Sequence, residues 1–303
     1  HKLLKCEYNP PYGHPAAILF MGGSNNMSIL NAVFLGLVQG ITEFLPISSS
    51  GHLAVLQNFF HLQSAEQGHL FFDVLLHLGT VIAILVVYWK DVVYIVTDSL
   101  AFIRMARTGS EEERREHPGG RFLLMLIIGT LPLFLILPFH SKLEQLYYNT
   151  GFIGAAFLLT GCILFVSDKI RPGRKNERTM TALDAIIIGV CQAIATIPGI
   201  SRSGSTITAG ITTGLNRSFS MKYSLLMSVP AVLGANLLSL IDALKDGVDW
   251  GNMPAYLIGT AVAMIVGYFS ILLLQRLLNR GKFGKFSYYL WIVGAVVLIA
   301  SLF

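Results

Sequence analysis

Charge is what this 303-residue chain has least of: Asp, Glu, Lys and Arg make up 13% of it, where soluble domains carry roughly a quarter. With 53% hydrophobic residues and a mean hydropathy of +0.63, it has too little polar surface to cover itself in water. A soluble globular domain is thereby excluded, and lipid must serve as part of its solvent. Cysteine is scarce as well. The three present form no disulfide framework: Cys162 and Cys191 sit inside apolar runs as small hydrophobes, and Cys6 lies in an N-terminal stretch unlike the rest. No stripe of Lys and Arg interleaved with aromatics occurs, so the net charge of +5 belongs to basic loops at a membrane rather than to a nucleic-acid surface.

In residues 1–26 a short apolar patch ends in Gly-Gly-Ser-Asn-Asn. The patch is too short to span a bilayer and lacks the layout of a secretory signal. These residues are read as a non-native or disordered extension, and a single integral membrane domain is placed at 27–303.

Six segments are long and apolar enough to cross: 71–89, 122–139, 152–166, 223–241, 255–278 and 288–303. Pro132, Pro138 and Pro230 suggest kinks, which neighbouring helices tolerate. Two further stretches are apolar but broken. Residues 28–44 are followed by Leu-Pro-Ile-Ser-Ser-Ser-Gly-His and then 53–62; residues 182–197 are followed by Pro-Gly-Ile-Ser-Arg-Ser-Gly and then 205–215. Each second leg offers ~18 Å of helix against ~30 Å of hydrocarbon. The reading is a helix–loop–helix hairpin that dips into the membrane and returns on the same side.

These broken segments repeat each other. Gly36, Gln39, Ile41, Ile47, Ser48, Ser50 and Gly51 fall on Gly189, Gln192, Ile194, Ile200, Ser201, Ser203 and Gly204 at one constant offset. Shared hydrophobicity does not put polar identities in register, so the chain is read as a duplication, with repeat one at 27–170 and repeat two at 181–303. One hairpin plus three crossings per repeat inverts the second copy. Loop charges agree: Lys169, Arg171, Arg174, Lys175 and Arg178 crowd one connection and Arg276, Arg280, Lys282 and Lys285 another, while Lys142 and Lys245 are the sole Lys or Arg of 139–151 and 242–254. Basic loops stay cytoplasmic, so the first hairpin enters from outside and the second from inside, their tips meeting near the midplane. The connection 89–122, with six basic and six acidic residues, is assigned to the cytoplasmic side. The expected fold is an all-α polytopic membrane protein: six transmembrane helices plus two re-entrant hairpins in an inverted-topology repeat.

Polar residues at such depth are a functional hypothesis by default. The first tip offers Gln39, Glu43, Ser48, Ser49, Ser50 and His52; the second offers Gln192, Ser201, Arg202, Ser203, Ser205 and Thr206. Gln39 and Glu43 share a helix face, and Ser49 and His52 are close enough to cooperate. Both returning legs begin at Ser-x-Ser-Gly, which puts free backbone N–H groups and a positive dipole end where an anion would bind. Arg202 adds a planar fork suited to phosphate oxygens. Capping and packing account for Ser48, Ser50, Ser201 and Ser203 as readily as ligand binding does, and a purely structural ion pair is the alternative for Glu43 with Arg202. Asp73 and His77 are assigned to interfacial or packing roles, with a place near the site as the alternative.

The run Gln39-Gly-Ile-Thr-Glu43-Phe-Leu-Pro-Ile-Ser-Ser-Ser-Gly51-His52, with Pro198-Gly-Ile-Ser-Arg202-Ser-Gly204-Ser-Thr206, closely resembles the undecaprenyl-diphosphate phosphatase family of bacitracin-resistance type, over essentially 27–303. Gln39 stands where that family has Glu or Gln, and Arg202 at its essential arginine. The resemblance implies hydrolysis of undecaprenyl diphosphate to undecaprenyl phosphate and phosphate. That reaction recycles the lipid carrier for peptidoglycan synthesis and gives bacitracin resistance, at the periplasmic face of a bacterial inner membrane and with a divalent cation, Mg or Ca. On this footing the catalytic set is Glu43, Ser49, His52 and Arg202, with Ser49 the nucleophile and His52 or Glu43 the base; the opposite assignment, with His52 attacking, stays open. The substrate-binding set is Gln39, Ser48, Ser50, Gly51, Ser201, Ser203, Gly204 and Thr206. Glu43, with Gln39, is the expected metal contact. The expected partners are a polyprenyl diphosphate lipid and the bilayer, with no nucleic acid. The sequence is silent on oligomeric state, and a homodimer is among the open arrangements. The competing function is a transporter or flippase of a polyprenyl phosphate lipid working through the same inverted-repeat site.

Overall fold

The computed structural model describes residues 27–60, 70–105, 117–171, 173–246 and 248–302. The extension read at 1–26 lies outside the described residues.

Among the described residues the chain is helical throughout, with no strand beyond one isolated bridge between Lys175 and Leu215. The first apolar stretch folds as α1 (Ile29–Thr42) and α2 (Ser49–Phe60), broken over 43–48. The second folds as α8 (Ala182–Ile194) and α9 (Arg202–Thr212), broken over 195–201. Between them come α3 (Leu70–Val87), α4 (Trp89–Met105), α5 (Pro118–Thr130), the short α6 (His140–Leu146) and α7 (Thr150–Ser167); after them come α10 (Arg217–Asp246), α11 (Met253–Asn279) and α12 (Phe286–Ala300). Among the described residues five helical spans are long and apolar enough to cross a membrane, and α3 with α4, bent by 78° at their break, reaches that length only as a pair. The chain is a multi-pass membrane protein.

That bend departs from the sequence reading, in which 71–89 is a straight crossing and 89–122 a connection. Helix continues beyond the break as α4, which turns Ile95 and Ser99 inward and packs along α5, leaving Val93, Val96, Leu100 and Ile103 exposed. The turn falls just before Lys90 and Asp91. Asp91 lies 2.8 Å from the Lys222 ammonium, which also reaches Glu177 at 3.3 Å, so the start of α4 is tied to α10 and to the connection before α8. Proline acts unevenly. At Pro132 the α-helix tightens into a 3₁₀ segment, Leu131–Leu135, whereas α10 runs on through Pro230 as one 30-residue helix.

Helices of one half lie against helices of the other. α1 packs along α11, α8 along α5 and the 3₁₀ segment after it, and α7 along α12. Two of these contacts are set by glycine. A methyl group at Gly36 would strike the carbonyl oxygen of Gly259, and one at Gly189 would strike that of Gly129. Gly36 and Gly189 are partners in the sequence register, and both let backbones approach without side chains between them.

Candidate active site

The break after α1 leaves Glu43 capping the helix, its N–H bonded to the Gln39 carbonyl. In the second hairpin Ser201 is the N-cap of α9, its Oγ accepting from the N–H of Gly204 at 3.1 Å. Ser48 does likewise for the first hairpin, accepting from the N–H of Gly51 at 3.3 Å. The register that aligns the sequences aligns these caps. It also places Ser49 and Arg202 at one shared position, the first residue of each returning helix. The tips differ in how they turn. Gly199 takes the left-handed region at φ 88°, where glycine is unstrained; the first tip has Pro46 in register with it, and Ser48 takes φ 67° instead.

The tips meet. Gly51 packs so closely on Gly199 that a Cβ on it would lie 2.8 Å from the Gly199 Cα, and Ser203 Oγ lies 3.5 Å from the Leu45 carbonyl. Thr160 of α7 clasps the second tip, donating to the Gly199 carbonyl at 3.1 Å and accepting from the Ser201 N–H at 3.3 Å. At this junction sits Glu43, 9% exposed. Its Oε1 accepts from Arg202 Nη2 at 2.5 Å, and its Oε2 accepts from Ser49 Oγ and from Gln39 Nε2, each at 3.2 Å. Three residues named from sequence, contributed by both hairpins, thus converge on the carboxylate of a fourth. Ser49, Ser50, His52 and Arg202 remain half-buried around it, so the cluster is reachable from outside the protein.

The remaining sequence candidates divide. Ser50 and Ser203 lie 3.5 and 3.4 Å from the capping hydroxyls of Ser48 and Ser201, lining the tips as a paired ladder. Thr206 is buried, its hydroxyl engaged by the Arg202 carbonyl and, at 2.5 Å, by Ser224, so it braces α9 against α10. Gln192, the counterpart of Gln39, is buried with both amide atoms unbonded among the described residues. His52 does not bond Ser49: its Nδ1 lies 2.8 Å from the Ser48 carbonyl and its Nε2 2.8 Å from the Tyr289 hydroxyl. Tyr289 is absent from the sequence reading, where a tyrosine near the start of the last crossing passes as an interfacial aromatic. Asp73 and His77 bond along their own helix, His77 Nδ1 to the Asp73 carbonyl at 2.9 Å.

The donor set also bears on a cation. Among the described residues no group of three or more His, Cys, Asp or Glu side chains could hold a metal ion. The cluster offers the carboxylate of Glu43 and the amide oxygen of Gln39 beside it. That set suits a hard cation which keeps several waters and shares phosphate oxygens, rather than an all-protein cage.

A family model described as bacitracin resistance protein BacA matches residues 32–296. The chain is 38% identical over 276 residues to an undecaprenyl-diphosphatase of Carboxydothermus hydrogenoformans, covering 90% of this chain and 97% of the relative. It is 37% identical over 280 residues to an undecaprenyl-diphosphatase of Methanosphaera stadtmanae, covering 91% and 99%. To undecaprenyl-diphosphatase 3 of Bacillus cereus it is 35% identical over 273 residues, covering 90% and 97%.

Proposed function

The chain belongs to the bacitracin resistance protein BacA family, and on that premise we propose that it is an undecaprenyl-diphosphatase, hydrolysing undecaprenyl diphosphate to undecaprenyl phosphate and inorganic phosphate. The observation that carries this reading is the Ser49–Glu43–Arg202 cluster at the junction of the two tips. A hydroxyl beside a carboxylate and a guanidinium, at a helix N-terminus, is the equipment phosphoryl transfer asks for.

In this mechanism the diphosphate headgroup enters among Ser49, Ser50, His52 and Arg202, with its polyprenyl tail left in the bilayer. Arg202 and the N–H groups at the starts of α2 and α9 take up charge on the phosphoryl oxygens. Ser49 Oγ attacks the terminal phosphorus, its proton passes to Glu43 Oε2, and the bridging P–O bond breaks to release undecaprenyl phosphate. Water then attacks the phosphoserine while Glu43 returns its proton to the departing Ser49 Oγ, freeing dihydrogen phosphate, which keeps both protons of the water, and restoring hydroxyl and carboxylate. Glu43 is favoured as base because the Ser49 hydroxyl already donates to it, while His52 Nε2 is engaged by Tyr289. A divalent cation, Mg or Ca, would be held by Glu43 and Gln39 and would neutralise charge on the diphosphate. On this reading the protein sits in the cytoplasmic membrane, with the basic connection 168–181 on the cytoplasmic side and the site reached from the periplasm.

Phosphate release measured in detergent micelles tests the reading. Purified protein is expected to liberate phosphate from undecaprenyl diphosphate, to stop on addition of a chelator and to resume with excess Mg. A protein silent in micelles but moving lipid phosphate across vesicles would overturn it in favour of transport.

A further inference from the structure

His52 is held by three neighbours. A backbone carbonyl can only accept, so the 2.8 Å contact to the Ser48 oxygen requires the proton of a neutral imidazole to be on Nδ1. Nε2 then carries the lone pair, and the Tyr289 hydroxyl 2.8 Å away donates to it. The Tyr289 ring is stacked on the imidazole at 5.7 Å and 7°, and the buried Phe157 closes in at 4.8 Å, tilted by 45°. Tyr289 sits on a well-fixed helix. Trp291, two residues on, packs on Gly161, and Gly294 meets Gly154, so α12 rides directly on α7. The same α7 supplies Phe157 and the Thr160 that clasps the second tip. The ring orientation is therefore tied to the helix that organises the whole junction.

We propose that Tyr289 is a positioning residue for the phosphatase reaction. It holds His52 with the Nε2 lone pair at the half-exposed mouth, beside the headgroup's entry, and keeps that lone pair occupied until a substrate oxygen competes for the hydroxyl. This rests on the phosphatase reading above and adds to it a residue on the last helix, far in sequence from either signature run. The hydroxyl and the ring act separately: the ring stacks, and the hydroxyl bonds Nε2. Tyr289→Phe removes one and keeps the other.

Two measurements on the full chain in detergent test this. Tyr289→Phe is expected to elute as a monodisperse species and melt as the wild type does, with kcat about tenfold lower and KM nearly unchanged. Its ¹⁵N-histidine spectrum, assigned against His52→Asn, is expected to show the unprotonated Nε2 resonance of His52 shifted and the Nδ1–H resonance in place. Tyr289→Ala, which also removes the stacked ring, is expected to lower kcat further. Wild-type kcat in Tyr289→Phe, or an unmoved Nε2 resonance, would overturn the positioning role alone. A wild type that releases no phosphate would overturn the phosphatase reading, and the positioning role with it.

Discussion

At the scale of single residues, Glu43 is the point on which the site turns. It is a buried carboxylate whose oxygens are occupied by Arg202, Ser49 and Gln39, and a buried charge is tolerable only when so compensated. Arg202→Ala removes the compensation and, in the proposed mechanism, the donor to the phosphoryl oxygens. Phosphate release is expected to fall by about 10²-fold or more, with Arg202→Lys recovering part of it, since an ammonium keeps the charge but loses the fork. Ser49→Ala is expected to be as damaging, and Ser50→Ala mild, because Ser50 bonds a capping hydroxyl and not the carboxylate. Comparable losses in the two serine variants would reduce Ser49 to a cap and remove it as nucleophile. Glu43, Ser49 and Arg202 were legible from sequence because ionic and hydroxyl side chains inside apolar runs have no inexpensive structural excuse. Tyr289 was not legible. Its role depends on which helix lies beside α2, and an aromatic near a membrane helix end has an ordinary explanation already.

At the scale of elements, the pairing of helices across the two halves decides the shape. α1 approaches α11 through Gly36 and Gly259, and α8 approaches α5 through Gly189 and Gly129. Valine at Gly36 or Gly189 is therefore expected to lower the melting temperature in detergent sharply or to prevent recovery of folded protein. Gly234 is the control: a Cβ there meets nothing within 4 Å, so Gly234→Ala is expected to be neutral or stabilising by up to about 1 kcal/mol. Equal tolerance at all three positions would show that close approach is not what holds the halves together. The hairpins were readable as breaks too short to cross. The 78° turn between α3 and α4 was not, because Lys90 and Asp91 look like the end of a span whether the helix stops there or changes direction. The pairing of Asp91 with Lys222, 131 residues away, is a tertiary contact that the local sequence does not display.

At the scale of the whole molecule, the two ends are unlike. The connection 168–181 is stitched to both halves: Lys175 pairs with Asp184 at 2.9 Å, Arg217 lies 3.5 Å from Asp168, and Lys222 joins Asp91 and Glu177. If this is the cytoplasmic end, a cysteine placed at the exposed Arg174 of a cysteine-free variant should react with a membrane-impermeant maleimide only after cells are opened. One at the exposed Gln145 should react on intact cells, and the reverse pattern would turn the site toward the cytoplasm. The chain order of the junction matters as well. Glu43 and its counter-ion Arg202 are 159 residues apart, so the acid emerges from the ribosome long before the guanidinium that will neutralise it. Until then the first hairpin either waits outside the lipid or inserts with its acid protonated. Catalytic competence is thus among the last properties the nascent protein acquires, and a chain cut short before its second hairpin is left with an acid that Arg202 never answers.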